Sequence, residues 1–86
     1  MPHFAAELHA VERALSARPV DHVALREAVA AYARVRRGDA TPEGMIRDLK
    51  HAFEPLIQEG HAEAFTLRTD AVTLAISIYY RGSRSE

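Results

Sequence analysis

The 86-residue sequence predicts an all-α fold, a compact bundle of four helices. Three observations support this class. Apolar residues recur at intervals of three and four along most of the chain, which is the spacing of one face of a helix. Residues that end and begin helices separate these segments. Alanine, the best helix former, is frequent, and the hydrophobic fraction of 48% is typical of a folded chain.

The first two helices are predicted over residues 2–17 and 21–37. In the first, the apolar positions are spaced by four, three and four: Phe4, Leu8, Val11 and Leu15. Pro19 ends this helix, because the residue before a proline is driven out of helical geometry. Asp21 is expected to cap the second helix. The apolar face of the second helix comprises Leu25, Ala28, Val29, Tyr32 and Val35.

A sharp turn separates the second helix from the third. Gly38 is expected to adopt the left-handed conformation that closes a helix. The hydroxyl of Thr41 can accept from the first turn of the next helix, and Pro42 suits its first position. Because these signals lie so close together, we expect the two helices to fold back on one another or to cross at an angle. The turn would then fix the angle between them.

The third helix carries an apolar stripe of Ile46, Leu49, Phe53, Leu56 and Ile57. Pro55 lies inside it. Proline removes the backbone bond to His51 and clashes with that carbonyl, so a kink or a break is predicted between His51 and Glu54. Gly60 is expected to end the segment.

The segment AVTLAISIYY, residues 71–80, has two interpretations. Its alternation of apolar and small or polar residues is typical of a strand. The same residues also form two apolar stripes at helical spacing, and a lone strand would lack a partner. We therefore predict a helix from Thr69 or Asp70 to Tyr80. Being apolar on two sides, it should be the buried helix against which the others pack. Residues 1–80 would form a single helical domain, and residues 81–86 a polar tail.

The stretches LREAVAAYARVRR (25–37), TPEGMIRDLKHAF (41–53) and AISIYYR (75–81) together resemble a set of short uncharacterised bacterial helical proteins. In those proteins a proline–glutamate turn opens a helix that carries a lysine in its apolar pattern, and the final helix closes on a tyrosine pair. The resemblance implies an all-helical fold and favours helix for the last segment. It implies no activity, because none is assigned to that family.

Composition excludes several classes of function. Eleven basic and twelve acidic residues give a net charge of −1, so the chain as a whole does not attract nucleic acid or an anionic membrane. Without cysteine there is no disulfide, thiolate metal site or cysteine nucleophile. No apolar run approaches about 18 residues, so no membrane span is expected. Cytoplasmic location is the default expectation, and the alanine- and arginine-rich usage indicates a bacterial source.

No catalytic, cofactor-binding or metal-binding residues are predicted. No two of the five histidines have the i, i+4 spacing of a helical metal site. The serines lack a glycine-elbow context, and no phosphate-binding glycine loop is present. A phosphorelay role for His51 is disfavoured, because Lys50 precedes the histidine whereas such domains carry the lysine after it.

The sequence favours a small bacterial adaptor or regulator that acts through protein–protein interaction without catalysis. Tyrosines combine a large apolar area with a polar tip and are frequent at interfaces. Ile76, Tyr79 and Tyr80 are therefore the candidate interface, with a homodimer or a small protein partner expected. The structural alternative is that one tyrosine ring seals the core while the other lies on the surface.

The alternative function is a helix–turn–helix regulator that reads DNA. Its candidate contacts are Arg36 and Arg37 before the turn, and Arg47 and Lys50 after it. Four acidic residues in the same region oppose this hypothesis, because a DNA-reading surface shows a clear basic excess. Nucleic acid is thus the less favoured partner.

Overall fold

The computed structural model describes residues 4–38 and 41–84. Within these ranges the chain forms four helices and no strand: α1 (Ala5–Ser16), α2 (His22–Arg36), α3 (Pro42–Gln58) and α4 (Ala64–Arg84). The predicted all-α class and number of helices are confirmed. AVTLAISIYY lies entirely within α4, so its strand-like alternation does not set its conformation.

The helices pack as a ring in the order α1, α2, α4, α3. α1 packs against α2 and α3, and α4 packs against the same two helices. The consecutive helices α2 and α3 therefore occupy opposite corners of the bundle. The tight turn between them does not lay α3 along α2, as the alternative of folding back would require. Instead, it carries the chain across the bundle.

One hydrophobic core joins all four helices. Its largest fully buried side chains are Tyr32, Phe53, Met45, Leu49, Val11 and Val29. The predicted stripes identify most of the core, but Met45 and Ala33 are buried while Ile46 and Val35 are only half-buried. On α3, positions 45, 49, 52 and 56 also follow the four–three–four spacing. The helix is turned so that this row, rather than the one through residue 46, faces the core.

The predicted starts of α2 and α3 are confirmed. Asp21 Oδ1 accepts from the amide of Ala24 at 3.0 Å, and Thr41 Oγ1 accepts from the amide of Gly44 at 3.1 Å. Each bond satisfies an amide that has no partner within its helix. Pro42 occupies the first turn of α3, as predicted.

The glycines that follow α2 and α3 have different backbone conformations. Gly38 does not adopt the predicted left-handed conformation, because α2 closes on the right-handed residue Arg37, whose amide bonds to the Ala33 carbonyl. Gly60 has φ +76°. The His61 amide bonds to the Leu56 carbonyl at 3.2 Å, which completes a Schellman closure. The predicted end at Gly60 is confirmed.

Pro55 does not break α3, which is continuous from Pro42 to Gln58. The missing proline N–H costs a single backbone bond in the last turn, next to the helix end. The predicted break between His51 and Glu54 is therefore wrong, and a kink there stays a prediction.

α4 is longer than predicted and is not the central buried helix. It begins at Ala64 rather than at Thr69 or Asp70, and it continues to Arg84, so most of the predicted tail is helical. Residues 85–86 lie outside the described ranges. The buried positions of α4 are mostly alanines: Ala64, Ala71, Ala75 and Ile78. Small side chains let the helix lie close to α2 and α3, and its larger apolar residues are left at its edges.

Candidate interaction surface

Four large apolar side chains form a row along one edge of α4, and we call this row the α4 stripe: Phe65, Val72, Ile76 and Tyr80. Phe65 is 62% exposed and Tyr80 is 50% exposed, while Val72 and Ile76 are half-buried against the core. At about 100° per residue, the four positions fall within a sector of about 80° around the helix axis. The stripe is thus a mostly apolar edge, interrupted by Thr69, with an exposed aromatic ring at each end.

The packing of the bundle explains why this edge is uncovered. α2 covers the opposite edge of α4, where Leu67 and Leu74 line a groove together with Leu25 and Val29 of α2. α3 is the other helix packed against α4. The stripe therefore faces solvent beside α3, and the rings at its two ends stay at least half exposed.

The predicted interface residues lie together at one end of α4. The rings of Tyr79 and Tyr80 meet edge to face, with centroids 5.3 Å apart. Tyr79 packs against the core, Tyr80 points outward, and Ile76 lies one turn earlier. The structure thus gives one ring to the core and one to the surface. Whether these residues contact a partner stays a prediction.

Sequence reasoning missed Phe65 and Val72 as parts of this surface. Phe65, Val72 and Tyr79 are spaced by seven residues, so the signal was present. Both missed residues belong to one of the two apolar stripes at helical spacing, but the predicted interface was taken from the tyrosine pair alone and so was confined to the end of the helix. The guanidinium of Arg68 lies 5.2 Å from the centroid of the Phe65 ring and holds a cation over its face.

The candidate DNA-contacting residues do not form one surface. The side chain of Arg36 is only 14% exposed. Its guanidinium carbon lies 3.9 Å from the centroid of the Phe4 ring, and Nη2 lies 3.6 Å from Asp48 Oδ2. Arg36 therefore joins the start of α1 to α2 and α3 and is not presented to a phosphate. Arg37 is exposed at the end of α2.

Arg47 and Lys50 are exposed on the outer face of α3. Glu43 and Glu54, which are also exposed, lie on the same face, at intervals of four, three and four residues. The face thus carries two positive and two negative charges, without the basic excess of a DNA-reading helix. DNA binding stays a prediction that this arrangement does not favour.

A partly buried hydrogen bond connects α2 to α3. The Tyr32 hydroxyl donates to Asp48 Oδ2 at 2.5 Å. Tyr32 is fully buried, and its ring meets that of Phe4 edge to face at 5.8 Å. Asp48 thus receives both the phenol and the Arg36 cation, which gives this cluster a sufficient structural role.

A half-open groove of about 350 Å³ runs between α2 and α4. Its floor is apolar, and its rim carries Arg26 and Asp70. His22 Nε2 lies 3.3 Å from Glu63 Oε1 at one end. The rim holds side chains of both signs with no grouping typical of a catalytic site.

Two further features bear on metal and membrane binding. Across residues 4–38 and 41–84, no three histidine, aspartate or glutamate side chains lie close enough to share a metal ion. His51 is exposed on α3, and His3 lies outside the described residues. None of the helices in the described part of the chain is both long and apolar enough to cross a bilayer.

Comparison of the chain with protein-family models, with curated proteins and with solved structures finds no match.

Proposed function

We propose that this protein acts through protein–protein contact rather than catalysis, as a small adaptor or regulator, and that the α4 stripe is its contact surface. The observation that carries the proposal is the exposure of Phe65 and Tyr80 on a helix whose core-facing positions are mostly alanines. Contiguous exposed apolar rows mark interaction sites, and aromatic residues are enriched at them. A bacterial, cytoplasmic setting rests on composition alone.

A second copy of the chain is the proposed partner. A domain of this size buries a modest core, and pairing covers more apolar surface. Phe65 and Tyr80 are fifteen residues apart, which is about 22 Å along a helix, and a helix is about 10 Å wide. The stripe alone therefore offers about 220 Å² per copy, well below the ~800 Å² per partner of a standard interface.

α3 can widen this surface. α1 covers one edge of α3, where Ala52 and Leu56 line a shallow groove with Leu15. The half-buried Ile46 and Ile57 lie on the other side of α3, the helix that also packs against α4. Even with this addition the contact is small, so we expect a dimer with a dissociation constant in the range of about 1–100 µM.

Sedimentation velocity over a concentration series tests the proposal. Phe65→Glu places a charge on the stripe and should weaken dimerisation at least about tenfold, a cost of about 1.4 kcal/mol. Val23→Glu is the matched control, because Val23 is 69% exposed but lies on α2, away from the stripe. It should leave the dissociation constant unchanged. Circular dichroism should show native helix content in both variants.

Two results would refute the proposal. One is a wild-type protein that stays monomeric up to about 500 µM, well above the expected dissociation constant. The other is a dimer that Phe65→Glu and Val23→Glu weaken equally, since the contact would then depend on general surface charge rather than on the stripe.

A further inference from the structure

We infer that two copies pair through α4 in antiparallel orientation about a two-fold axis that passes beside Val72, so that Phe65 of each copy packs against Tyr80 of the other. This inference rests on the proposed function, and it specifies the partner's orientation and register. The parallel arrangement and other registers are the alternatives that an experiment must separate.

The register follows from the positions of the two exposed rings. The midpoint between Phe65 and Tyr80 lies between Val72 and Thr73. Each ring is thus about 11 Å from this midpoint along the axis. Antiparallel pairing centred there places each exposed ring on the opposite ring of the other copy, and Ile76 faces Thr69. Displacement by one turn would leave one ring of each copy uncovered.

The orientation follows from charge. In a parallel pair in register, Arg68 would lie beside its own equivalent, close to the seam, because its guanidinium already stands over Phe65. The partial charges at the helix ends would also meet like with like. In the antiparallel pair the two Arg68 positions are about 14 Å apart along the axis, beyond the screening length of about 10 Å at 0.1 M salt.

The antiparallel pair also gives Arg68 a second aromatic neighbour. Its cation lies over Phe65 within its own copy, and Tyr80 of the other copy would approach the same ring. The middle of the seam consists of the uncharged residues Thr69, Val72 and Ile76. A symmetric contact of this kind is self-complementary, as a two-fold dimer requires.

Cysteine cross-linking tests orientation and register directly, because the chain has no cysteine of its own. Single variants Val72→Cys, Phe65→Cys and Tyr80→Cys are oxidised at a concentration where the wild type is dimeric. Cross-linked dimer is then followed on non-reducing gels. Glu27→Cys, at an exposed position on α2, measures the rate of linkage by chance collision. Circular dichroism and sedimentation confirm that each reduced variant folds and dimerises.

The inference predicts a distinct pattern of linkage. Val72→Cys should form a disulfide at least about tenfold faster than Glu27→Cys, because paired thiols react at a high effective concentration. A mixture of the Phe65→Cys and Tyr80→Cys variants should form a mixed disulfide at a similarly raised rate. Phe65→Cys alone should not exceed the collision rate, because its two thiols would lie about 22 Å apart, beyond the reach of a disulfide.

Each other outcome overturns a defined part of the inference. Fast self-linkage of Phe65→Cys shows a parallel pair and refutes the orientation, while the proposed function stands. If the protein dimerises but Val72→Cys links no faster than Glu27→Cys, the axis does not pass beside Val72 and the register is wrong. A monomeric wild type refutes both the inference and the proposed self-association.

Discussion

Removal of the Tyr32 hydroxyl is a direct test of how the bundle joins α2 to α3. Tyr32→Phe keeps the buried ring and its edge contact with Phe4 but deletes the 2.5 Å hydrogen bond to Asp48. Because α2 and α3 occupy opposite corners, this partly buried bond connects two helices that are not neighbours in the ring. Its loss leaves a carboxylate that had been paired with both the phenol and Arg36. We expect the variant to fold with reduced stability.

The expected loss is about 1–2 kcal/mol. A hydrogen bond to a charged group contributes about 1.5–3 kcal/mol. The Asp48 side chain is 28% exposed, so water can replace part of the lost contact and the loss falls toward the lower end. For a domain of this size, the melting temperature should fall by about 4–8 °C for each kcal/mol.

Urea unfolding at about 1 µM, where the copies should be separate, measures the effect. The midpoint should decrease without a change in slope. Tyr80→Phe is the control, because the Tyr80 hydroxyl has no hydrogen-bond partner among the described residues, and its stability should stay within about 0.5 kcal/mol of the wild type. A double-mutant cycle with Asp48→Ala, which removes the acceptor, should yield a coupling free energy of about 1 kcal/mol. If Tyr32→Phe costs no more than Tyr80→Phe, the reasoning is wrong.

Two further predictions concern helix boundaries, and the urea midpoint checks both. Gly60→Ala should destabilise the protein by about 1 kcal/mol, because φ +76° is strained for a residue with a side chain. Gly38→Ala should be neutral or slightly stabilising, because Gly38 does not have a positive φ and its surroundings leave room for a Cβ atom. Equal effects of the two variants would contradict the assigned backbone conformations. Asp21→Ala should lower the free energy of unfolding by about 1 kcal/mol through loss of the cap on α2. Asp21→Asn should retain most of the wild-type stability, because asparagine can also cap a helix. Equal losses in the two variants would show that the cap is not the cause.

The starts of α2 and α3 were predictable because their signals are local. Asp21 and Thr41 each bond to an amide three residues ahead, so a short window contains both partners. Gly60 likewise sits in a helix end whose atoms all lie within a few residues. The spacing of apolar residues predicted that there are four helices for the same reason, because the residues that form one apolar face all lie within a few turns of the same helix.

The functional surface was harder to predict because it depends on contacts between distant segments. The sequence showed an apolar last segment, but not which of its two sides α2 would cover. Arg36 resembled an exposed cation, yet Phe4 and Asp48, both far along the chain, enclose it. Ile46 was predicted to face the core and Met45 was not, because the rotation of α3 about its axis is fixed by its neighbours in the bundle.

The alanine face of α4 separates two roles within one helix. The fold uses Ala64, Ala71, Ala75 and Ile78, whereas the proposed contact uses residues on another side of the same turns. Changes at Phe65 and Tyr80, the exposed ends of the stripe, can therefore alter or abolish partner choice while the bundle keeps its core. In a cell, such variants would show the effect of losing the partner contact without the effect of unfolding and degradation of the protein. The stripe could also change its partner over evolutionary time without the fold having to change with it.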